Sequence, residues 1–391
     1  MLQTGLIGTG YWGPNIAKSF ELTGKAAMRW FCDVDTTRLN KIIEKYPHAN
    51  STTEVDRMLE DPALDAVAIS TPAVTHYELT RKALEAGKHV LVEKPITLTS
   101  KDALQLIAFA QDKHKILMVG HVFEYNFTVR ALKNLIDSGE LGEIHYLNFE
   151  RTNLGPVRTD VNALWDLASH DVSIMCYILD GSPMNVTARG QAFLNSDLED
   201  AVFATFTFAN GVIAHVNASW LNPRKVREIT AVGSKKMAIW NDLDQQNPIQ
   251  IYDKRVEWPS EIPDTFHGYK TAVVNGGVYI PHIQHNQPLL AECEHFFKCI
   301  EQECQPQTNG YSGLRVVLAL EAATASMKNQ SKIATVKMRD MEAHLESLIQ
   351  QHPMGDKEIL QQFVENVHEH LSVDPTPSME PSSKGASAGG K

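Results

Sequence analysis

The stretch GLIGTGYWGPNIAKSF, residues 5–20, joins a short apolar strand, a glycine-rich turn and the start of a helix. Gly8 permits a tight turn, Gly10 lets the backbone approach a pyrophosphate, and Gly13 allows the helix to pack closely on the strand. Free N–H groups at a helix N-terminus bind anions. The stretch therefore predicts a dinucleotide-binding loop that opens a parallel α/β domain.

A carboxylate at the end of the next apolar stretch supports this prediction. Asp33 lies 20 residues after Gly13, where a carboxylate can accept hydrogen bonds from the hydroxyls of an adenine ribose. Because that charge would repel a 2′-phosphate, we expect NAD as the cofactor rather than NADP. Arg38 is the opposing signal, although its position one turn into the next helix also suits a surface charge. The alternative for the whole motif is a glycine-rich turn that binds no cofactor.

The hydrophobic pattern changes character once along the chain. The first part alternates apolar strands with helical segments, which indicates a doubly wound parallel sheet. Later segments favour β-branched and aromatic residues, with turn signals at Asn210-Gly211 and 233–236, and predict a large, mostly antiparallel open sheet. We therefore divide the chain into a Rossmann dinucleotide-binding domain (1–122), an α+β domain for substrate binding and oligomerisation (123–338), a C-terminal helical extension (339–371) and a disordered tail (372–391).

Composition narrows the possible partners and the compartment. The chain has 391 residues, of which 36 are basic and 47 acidic. A net charge of −11 disfavours binding to nucleic acid or to an anionic membrane. The N-terminus lacks the pattern of a secretory signal, and no apolar run approaches the roughly 20 residues that span a bilayer. Five cysteines without a Cys-x-x-Cys pair suggest reduced thiols, so we expect a cytoplasmic protein.

The turn STPAVTH, residues 70–76, follows the next apolar strand, at the sheet edge where cofactors lie in such folds. Thr71 and Pro72 form the turn, and His76 stands where a helix begins. His76 is either a cofactor contact or a capping residue.

The stretch VLVEKP, residues 90–95, places Glu93, Lys94 and Pro95 at the end of the following strand. A lysine pointing into the cleft there would stabilise a developing alkoxide or bind a substrate hydroxyl. A strand-terminal surface lysine is the alternative. The predicted cofactor contacts are Gly8, Gly10, Tyr11, Trp12, Gly13, Asp33, Thr71, Pro72, His76, Glu93 and Lys94.

The stretch LWDLASHDVSI, residues 164–174, carries two polar residues on an apolar helix. Asp166 and His170 are one turn apart and share a face. They could be a satisfied core pair, or two metal ligands, but no further ligand motif is present and we expect no metal site. Alcohol oxidation needs a base that titrates near neutrality. His170 fits that role, and Asp166 would bind a neighbouring hydroxyl or hold the imidazole in one tautomer.

Polar residues before this helix, and those that follow the apolar stretch ILMVG at 116–120, are candidates for substrate binding. Arginines on a loop into the cleft would bind a carboxylate or a phosphate, as on a uronic acid or a nucleotide-sugar. A solvated loop is the alternative. The predicted substrate contacts are His121, Tyr125, Arg151, Asn153, Arg158 and Asn162.

Taken together, these motifs resemble the glucose–fructose oxidoreductase / inositol dehydrogenase / rhizopine catabolism (Gfo/Idh/MocA) family over residues 1–338. The matching residues are Gly8-x-Gly10-x-x-Gly13, Asp33, Thr71-Pro72-x-x-x-His76, Glu93-Lys94-Pro95 and Asp166-x-x-x-His170. The resemblance implies a Rossmann domain that binds NAD or NADP and a sheet domain that closes over the substrate. It also implies that Lys94 is the motif lysine, Asp166 the substrate-orienting carboxylate and His170 the general acid/base.

This resemblance suggests an NAD(P)-dependent oxidoreductase that moves a hydride between nicotinamide and a secondary alcohol or ketone of a sugar, nucleotide-sugar or cyclitol. The stretch Leu-Trp-Asp-Leu-Ala-x-His-Asp is most similar to members associated with bacterial surface-polysaccharide sugars. A homodimer or homotetramer through the second domain is expected from the resemblance, and because an open apolar sheet face seldom stays exposed. The alternatives are a noncatalytic NAD-binding regulator and an NAD-dependent glycosidase with internal redox. Lys94 and His170 favour an enzyme, since a regulator needs neither.

Overall fold

The computed structural model describes residues 1–194, 198–257, 273–284 and 286–336. The predicted helical extension and the predicted tail lie outside these ranges. In the described part of the chain, no helix is both long and apolar enough to cross a membrane.

The first sheet has six parallel strands in the order β3-β2-β1-β4-β5-β6. The strands are β1 (Leu2–Ile7), β2 (Ala26–Cys32), β3 (Asn50–Thr52), β4 (Ala66–Ile69), β5 (His89–Glu93) and β6 (Leu117–Gly120). The connecting helices are α1 (Gly13–Leu22), α2 (Thr36–Ile43), α3 (Val55–Leu59), α4 (His76–Glu85) and α5 (Ser100–Asp112). The strand order reverses beside β1, which creates the crevice where dinucleotides bind in such sheets. The predicted doubly wound domain is confirmed.

The strands of this sheet form because their side chains are buried on both faces. All four residues of β4 and all four of β6 are buried, as expected for a parallel sheet covered by helices on both sides. Strand β3 was not predicted. It is three residues long at the sheet edge and buries only Thr52, so it carries no hydrophobic pattern.

The second sheet has nine strands in the order β14-β13-β12-β11-β7-β10-β9-β8-β15. Neighbouring strands are antiparallel except β7 and β10, which are parallel. The strands are β7 (Ile144–Leu154), β8 (Asn185–Gln191), β9 (Ala201–Thr207), β10 (Ile213–Ser219), β11 (Leu221–Gly233), β12 (Met237–Asn241), β13 (Ile249–Val256), β14 (Val273–Tyr279) and β15 (Ala334–Thr335). The prediction of a mostly antiparallel sheet is confirmed.

Helices cover one face of this sheet. They are α6 (Phe127–Asp137), α7 (Ser169–Ile178) and α9 (Gly310–Lys328), and α8 (Pro288–Gln302) precedes α9. Burial alternates along strands such as β9, so every second side chain packs under the helices. Gly211 has φ 84°, a conformation that glycine adopts without strain, and the predicted turn there is confirmed.

The last two helices connect the two sheets. On α8, the ring of Phe297 lies 4.7 Å from that of Phe20 on α1, so this helix packs on the first domain. Helix α9 contacts α5, α7 and β8. Through α8 and α9, the two domains are therefore packed against each other.

Candidate active site

The glycine loop has the geometry that its sequence predicts. Gly8 has φ 93°, and a Cβ there would lie 2.5 Å from the carbonyl oxygen of Ser70. A Cβ at Gly13 would lie 2.1 Å from the carbonyl oxygen of Gly8. Helix α1 then begins without a side-chain cap and without an acidic residue in its first turn. Its N-terminal N–H groups are available to a phosphate, so this loop fits a dinucleotide.

Asp33 is buried beside this loop and holds it. Its Oδ2 accepts hydrogen bonds from the backbone N–H (2.6 Å) and the hydroxyl (2.9 Å) of Thr9, and its Oδ1 accepts one from the N–H of Asp35 (2.9 Å). Arg38 forms an ion pair with Asp35 at 3.3 Å. The guanidinium of Arg38 is also the group nearest to Gly10, 3.7 Å from where a Cβ would stand. A carboxylate and a guanidinium therefore both flank the predicted ribose position.

Two aromatic residues extend the loop into a cleft of about 790 Å3. The Tyr11 side chain is 94% exposed. The indole N–H of Trp12 donates to Glu93 Oε1 at 2.6 Å, which joins the glycine loop to the end of β5. Thr71 also lines the cleft, and its hydroxyl is hydrogen-bonded to that of Thr75 at 2.7 Å.

His76 lies behind the cleft, which argues against a direct cofactor contact. The side chain is buried, with Nδ1 2.7 Å from the carbonyl oxygen of Pro95 and Nε2 2.9 Å from that of Thr71. Both ring nitrogens are thus engaged with the main chain. The predicted capping role is not observed either, because α4 begins at His76 and its N-cap residue is Thr75. His76 ties the turn after β4, where Pro72 precedes a short 3-10 helix, to the turn after β5.

The turn after β5 aims Lys94 across the cleft. The Lys94–Pro95 peptide bond is cis. Lys94 Nζ donates to the carbonyl oxygen of Asp166 at 2.9 Å and lies 3.9 Å from Asp166 Oδ1. Burial lowers the pKa of Lys94, while the nearby carboxylates of Asp166 and Glu93 oppose that shift. Burial also raises the pKa of Glu93 to about 7. The alternative of a surface lysine is therefore excluded.

Asp166 and His170 belong to a helix that begins with an unusual turn. Leu164–Ala168 form a π-helix, which continues directly into α7. The Asp166 carboxylate accepts from Trp220 Nε1 at 3.2 Å and from Arg158 Nη1 at 3.4 Å. Among the described residues its only other close cation is Lys94.

His170 faces the same cleft. Its ring packs edge-on against Phe123, with centroids 5.0 Å apart. Its Nδ1 is buried and has no hydrogen-bond partner among the described residues, so Asp166 does not hold the imidazole tautomer. Burial lowers the pKa of His170 well below its usual value, and the charges of Lys94 and Arg151 lower it further. The imidazole is therefore neutral at neutral pH and can accept a proton.

Three of the predicted substrate contacts line the cleft: Arg151, Asn153 and Arg158. Both arginines already have carboxylate partners. Arg151 is buried against Asp171 at 2.8 Å, and Arg158 forms a bidentate pair with Asp160 at 2.6 and 2.8 Å. Their charges are largely neutralised within the protein.

The other three predicted substrate contacts are not among the residues that line the cleft. His121 is buried, and burial lowers its pKa to about 3. The Tyr125 hydroxyl is hydrogen-bonded to Thr308 at 3.0 Å. Asn162 donates to Glu199 at 2.7 Å and accepts from the N–H of Trp165 at 3.1 Å. All three side chains are buried, and Tyr125 and Asn162 are hydrogen-bonded within the protein.

The cleft also contains Asn126, which lies in the predicted polar stretch after Gly120, and residues that the sequence did not indicate: Phe123, Trp220, Lys225, Arg227 and Asp242. Arg227 is ion-paired with Asp242 at 3.1 Å. Lys225 has no ion-pair partner in the described part of the chain. Two basic residues at alternate positions, 225 and 227, were the only sign of this in the sequence. The pairing of β11 with β7 places them near the helix that carries Asp166 and His170. Across the described ranges, no three His, Cys, Asp or Glu side chains could hold a metal ion.

Comparisons with known proteins agree with this geometry. Residues 2–121 match an oxidoreductase family with an NAD-binding Rossmann fold, and residues 129–239 match the GFO/IDH/MocA C-terminal domain. The chain is 27% identical to the UDP-N-acetylglucosamine 3-dehydrogenase of Acidithiobacillus ferrooxidans, over 81% of this chain and 95% of that protein. A solved structure of that enzyme covers 85% of this chain and 99% of its own, with a TM-score of 0.70 and 25% identity.

A second relative is a scyllo-inositol 2-dehydrogenase (NADP(+)) of Bacillus subtilis, 25% identical over 76% of this chain and 86% of that protein. The fold is also that of GenD2 from gentamicin A biosynthesis, solved in complex with NAD. That structure has a TM-score of 0.71 and 23% identity, and the match covers 85% of this chain and 96% of that one. Because both domain models of the family match, over residues 2–121 and 129–239, the chain belongs to the Gfo/Idh/MocA oxidoreductase family and carries its NAD-binding Rossmann domain.

Proposed function

We propose that the protein is an NAD-dependent oxidoreductase that interconverts a secondary alcohol and a ketone on a sugar. The observation that carries this proposal is the convergence of Lys94, Asp166 and His170 on one cleft, which also receives Tyr11 and Trp12 from the glycine loop. A volume of about 790 Å3 suits a ligand of drug or sugar-nucleotide size. Bound NAD supplies the hydride acceptor.

His170 is the proposed base. Its lowered pKa keeps the imidazole neutral, so it can take the hydroxyl proton during oxidation and return it during reduction. Lys94 stabilises the developing negative charge on the same oxygen, because an ammonium in a water-poor cleft interacts strongly with an alkoxide. Lys94 itself is positioned by its hydrogen bond to the Asp166 carbonyl.

Asp166 is the proposed orienting carboxylate. Its oxygens accept from Trp220 and Arg158, so it is held rigidly and can still accept from a substrate hydroxyl next to the reacting carbon. The absence of a hydrogen bond to His170 among the described residues favours this role over control of the imidazole tautomer.

We further propose that NAD is preferred over NADP. Asp33 places a negative charge at the ribose position, which disfavours a 2′-phosphate. Arg38 is close enough to Gly10 to offer that phosphate some compensation. The preference should therefore be moderate, and a comparison of kcat/KM for the two cofactors measures it.

The substrate we propose is a sugar that carries a negative charge, as on a carboxylate or a diphosphate. Five cations line the cleft, and four have carboxylate partners. Lys225 remains, and Arg227 is two residues along the same strand. A charged group of the substrate would be recognised there, as the diphosphate in the named substrate of the Acidithiobacillus relative would require.

The test is nicotinamide absorbance across cyclitols, neutral sugars, uronic acids and nucleotide-sugars. Net formation of NADH with one class supports the dehydrogenase. Turnover without net NADH would instead indicate internal redox, as in a glycosidase, and NAD binding without turnover of any compound would indicate a regulator. Lys225→Ala should raise KM for an anionic substrate several-fold and leave kcat unchanged.

We propose that a second copy of the chain covers the open face of the second sheet, in a homodimer or homotetramer. Tyr146 and Ile213 are paired on neighbouring strands and are 46% and 44% exposed, and Phe203 on β9 is 50% exposed. Isolated apolar residues on a surface are common, but neighbouring ones mark contact surfaces. Light scattering should give an oligomer, and Phe203→Glu should shift it towards the monomer.

Two further proposals concern organisation and location. We retain the division at residues 122 and 123, although α8 returns to pack on the first domain. We place the protein in the cytoplasm, without nucleic-acid or membrane partners, because its five cysteines are free and its net charge is −11. Limited proteolysis and cell fractionation test these two statements.

A further inference from the structure

The C-terminal end of α8 brings two thiols together, outside the cleft. Glu303 adopts a left-handed conformation, with φ 50° and ψ 40°. The N–H groups of Glu303 and Cys304 both donate to the carbonyl oxygen of Cys299, the second at 3.1 Å. In this type of helix ending the side chains at the two positions joined by the longer bond come into contact. Those positions are occupied by Cys299 and Cys304.

The two thiols differ in environment. They are hydrogen-bonded to each other, and burial together with this bond raises the pKa of Cys299 to about 12. Cys299 is fully buried, whereas Cys304 is exposed. One turn earlier on α8, His295 Nε2 lies 3.5 Å from Cys299 Sγ and accepts the N–H of Gln307 at 3.0 Å. One thiol is accessible to an oxidant, and the other is shielded but adjacent.

We propose that Cys299 and Cys304 form a reversible intramolecular disulfide when hydrogen peroxide reaches the protein. The Cys304 sulfur attacks a peroxide oxygen, so that an S–O bond forms, the O–O bond breaks and water leaves. The Cys299 sulfur then attacks Cys304. An S–S bond forms, the S–O bond breaks, and the departing hydroxide leaves as water with the Cys299 proton. Two thiols are oxidised and one peroxide is reduced to two waters.

Because Cys299 is buried, it does not meet the oxidant first. Its place beside Cys304 makes it the resolving thiol.

The remaining cysteines lack this arrangement. Cys32, Cys176 and Cys293 are buried, and burial raises the pKa of each thiol. In the described part of the chain, none of these three is hydrogen-bonded to another thiol. The oxidation should therefore be confined to one pair.

The location also explains why oxidation should leave the fold intact. The residues after Cys304 are tied to the body of the protein, since Gln307 donates to Glu124 at 3.2 Å and the Thr308 carbonyl accepts from Val119 at 2.8 Å. Because the helix ending already places the two cysteines side by side, a disulfide between them should need little movement of this segment.

The experiment uses the full chain and does not depend on enzymatic activity. The protein is treated with hydrogen peroxide, and its free thiols are then alkylated. The mass of the tryptic peptide 299–315, which contains both cysteines, is measured by mass spectrometry. We expect a peptide lighter by two hydrogen atoms, unalkylated, and restored by dithiothreitol. The peptides that contain the three other cysteines should stay fully alkylated and serve as the internal control.

Two variants make the outcome decisive. Cys304→Ser should abolish the light peptide, and Cys299→Ala should leave Cys304 to over-oxidise to sulfinic acid. Sulfinic acid on Cys304 in the wild-type chain, with Cys299 still alkylated, would overturn the proposal. So would a disulfide that joins two chains through Cys304, which a non-reducing gel detects.

Discussion

Two carboxylates are held in different ways: Asp33 supports the glycine loop, which forms the first wall of the cleft, and Asp166 lies on the second wall. Asp33 accepts from the N–H and the hydroxyl of Thr9 in the glycine loop and from the N–H of Asp35. Asp166 accepts from Trp220 and Arg158 and lies next to Lys94. Main-chain N–H groups thus make two of the three hydrogen bonds to Asp33, whereas these three groups around the Asp166 carboxylate are all side chains. Changes to the first should affect cofactor binding, and changes to the second should affect chemistry.

The largest effect should come from the base on the second wall. We expect His170→Asn to lower kcat/KM by roughly 10²- to 10⁴-fold, the usual contribution of a general base. The affinity for NAD, measured by fluorescence titration, should not change. His48→Asn, at an exposed site, is the matched control. Equal turnover by the His170 variant and the wild type would remove His170 from the mechanism.

Asp166→Asn should have the next largest effect, about 10- to 100-fold in kcat/KM. The substitution removes the charge between Lys94 and Arg158 and leaves these two cations less well compensated. NAD affinity should again be unchanged. Asp160→Asn also alters the ion pairing of Arg158 but not that of Lys94, and it should lower kcat/KM much less than Asp166→Asn does. If both variants lost activity equally, the special role of Asp166 would be wrong.

Asp33→Asn should affect the first wall. It should weaken NAD binding and leave kcat unchanged, whereas the two preceding variants should lower kcat/KM and leave NAD affinity unchanged. Charged acceptors contribute about 1.5–3 kcal/mol per hydrogen bond, so weakening those from Thr9 should raise Kd for NAD about tenfold. At saturating NAD, kcat should be retained. The preference for NAD over NADP should narrow as well, because the charge that repels a 2′-phosphate is gone. A fall in kcat with unchanged cofactor affinity would contradict the distinction between the two walls.

The smallest expected effect is on pH dependence. Oxidation needs neutral His170, whose pKa burial and Lys94 hold well below 6.5. The rate should therefore stay level from pH 8 down to pH 6.5 and fall only at more acid pH. In Lys94→Met the nearby positive charge is lost, imidazolium becomes less unfavourable, and the pKa of His170 rises. The acid limb of the kcat/KM profile should then move to higher pH, and the maximum value of kcat/KM should be lower. An acid limb that moves to lower pH would show that Lys94 does not act on His170.

The sequence predicted the first wall well and the second only in part. The glycine loop and Asp33 are recognisable because their constraints are local: a positive φ, a close approach of main chain to main chain, and a strand followed by a helix. The π-helical turn before α7 was not predictable, because such a turn depends on packing around Leu164 and Trp165 and has no strong sequence pattern. Helical spacing alone suggested that Asp166 could hold His170, and the structure shows different partners.

The substrate contacts show the same limit more sharply. Tyr125 and Asn162 are close in sequence to residues that line the cleft, but their side chains are hydrogen-bonded within the protein. Lys225 and Arg227 line the cleft although their strand, β11, is distant in the chain. Strand register decides which face each side chain occupies, and a shift of one residue reverses that choice. β11 has an irregular register at this point, so alternation in the sequence could not assign the faces.

The sequence by itself determined the two-sheet architecture, the family and the identity of the nucleotide loop. These depend on apolar periodicity and on backbone conformations that particular residues impose. Only the tertiary structure decided which charges are already paired, which polar residues support the wall instead of facing a ligand, and which two thiols touch. Those properties depend on distances between elements that are far apart in the chain or on a left-handed helix ending, and composition and spacing do not encode such distances.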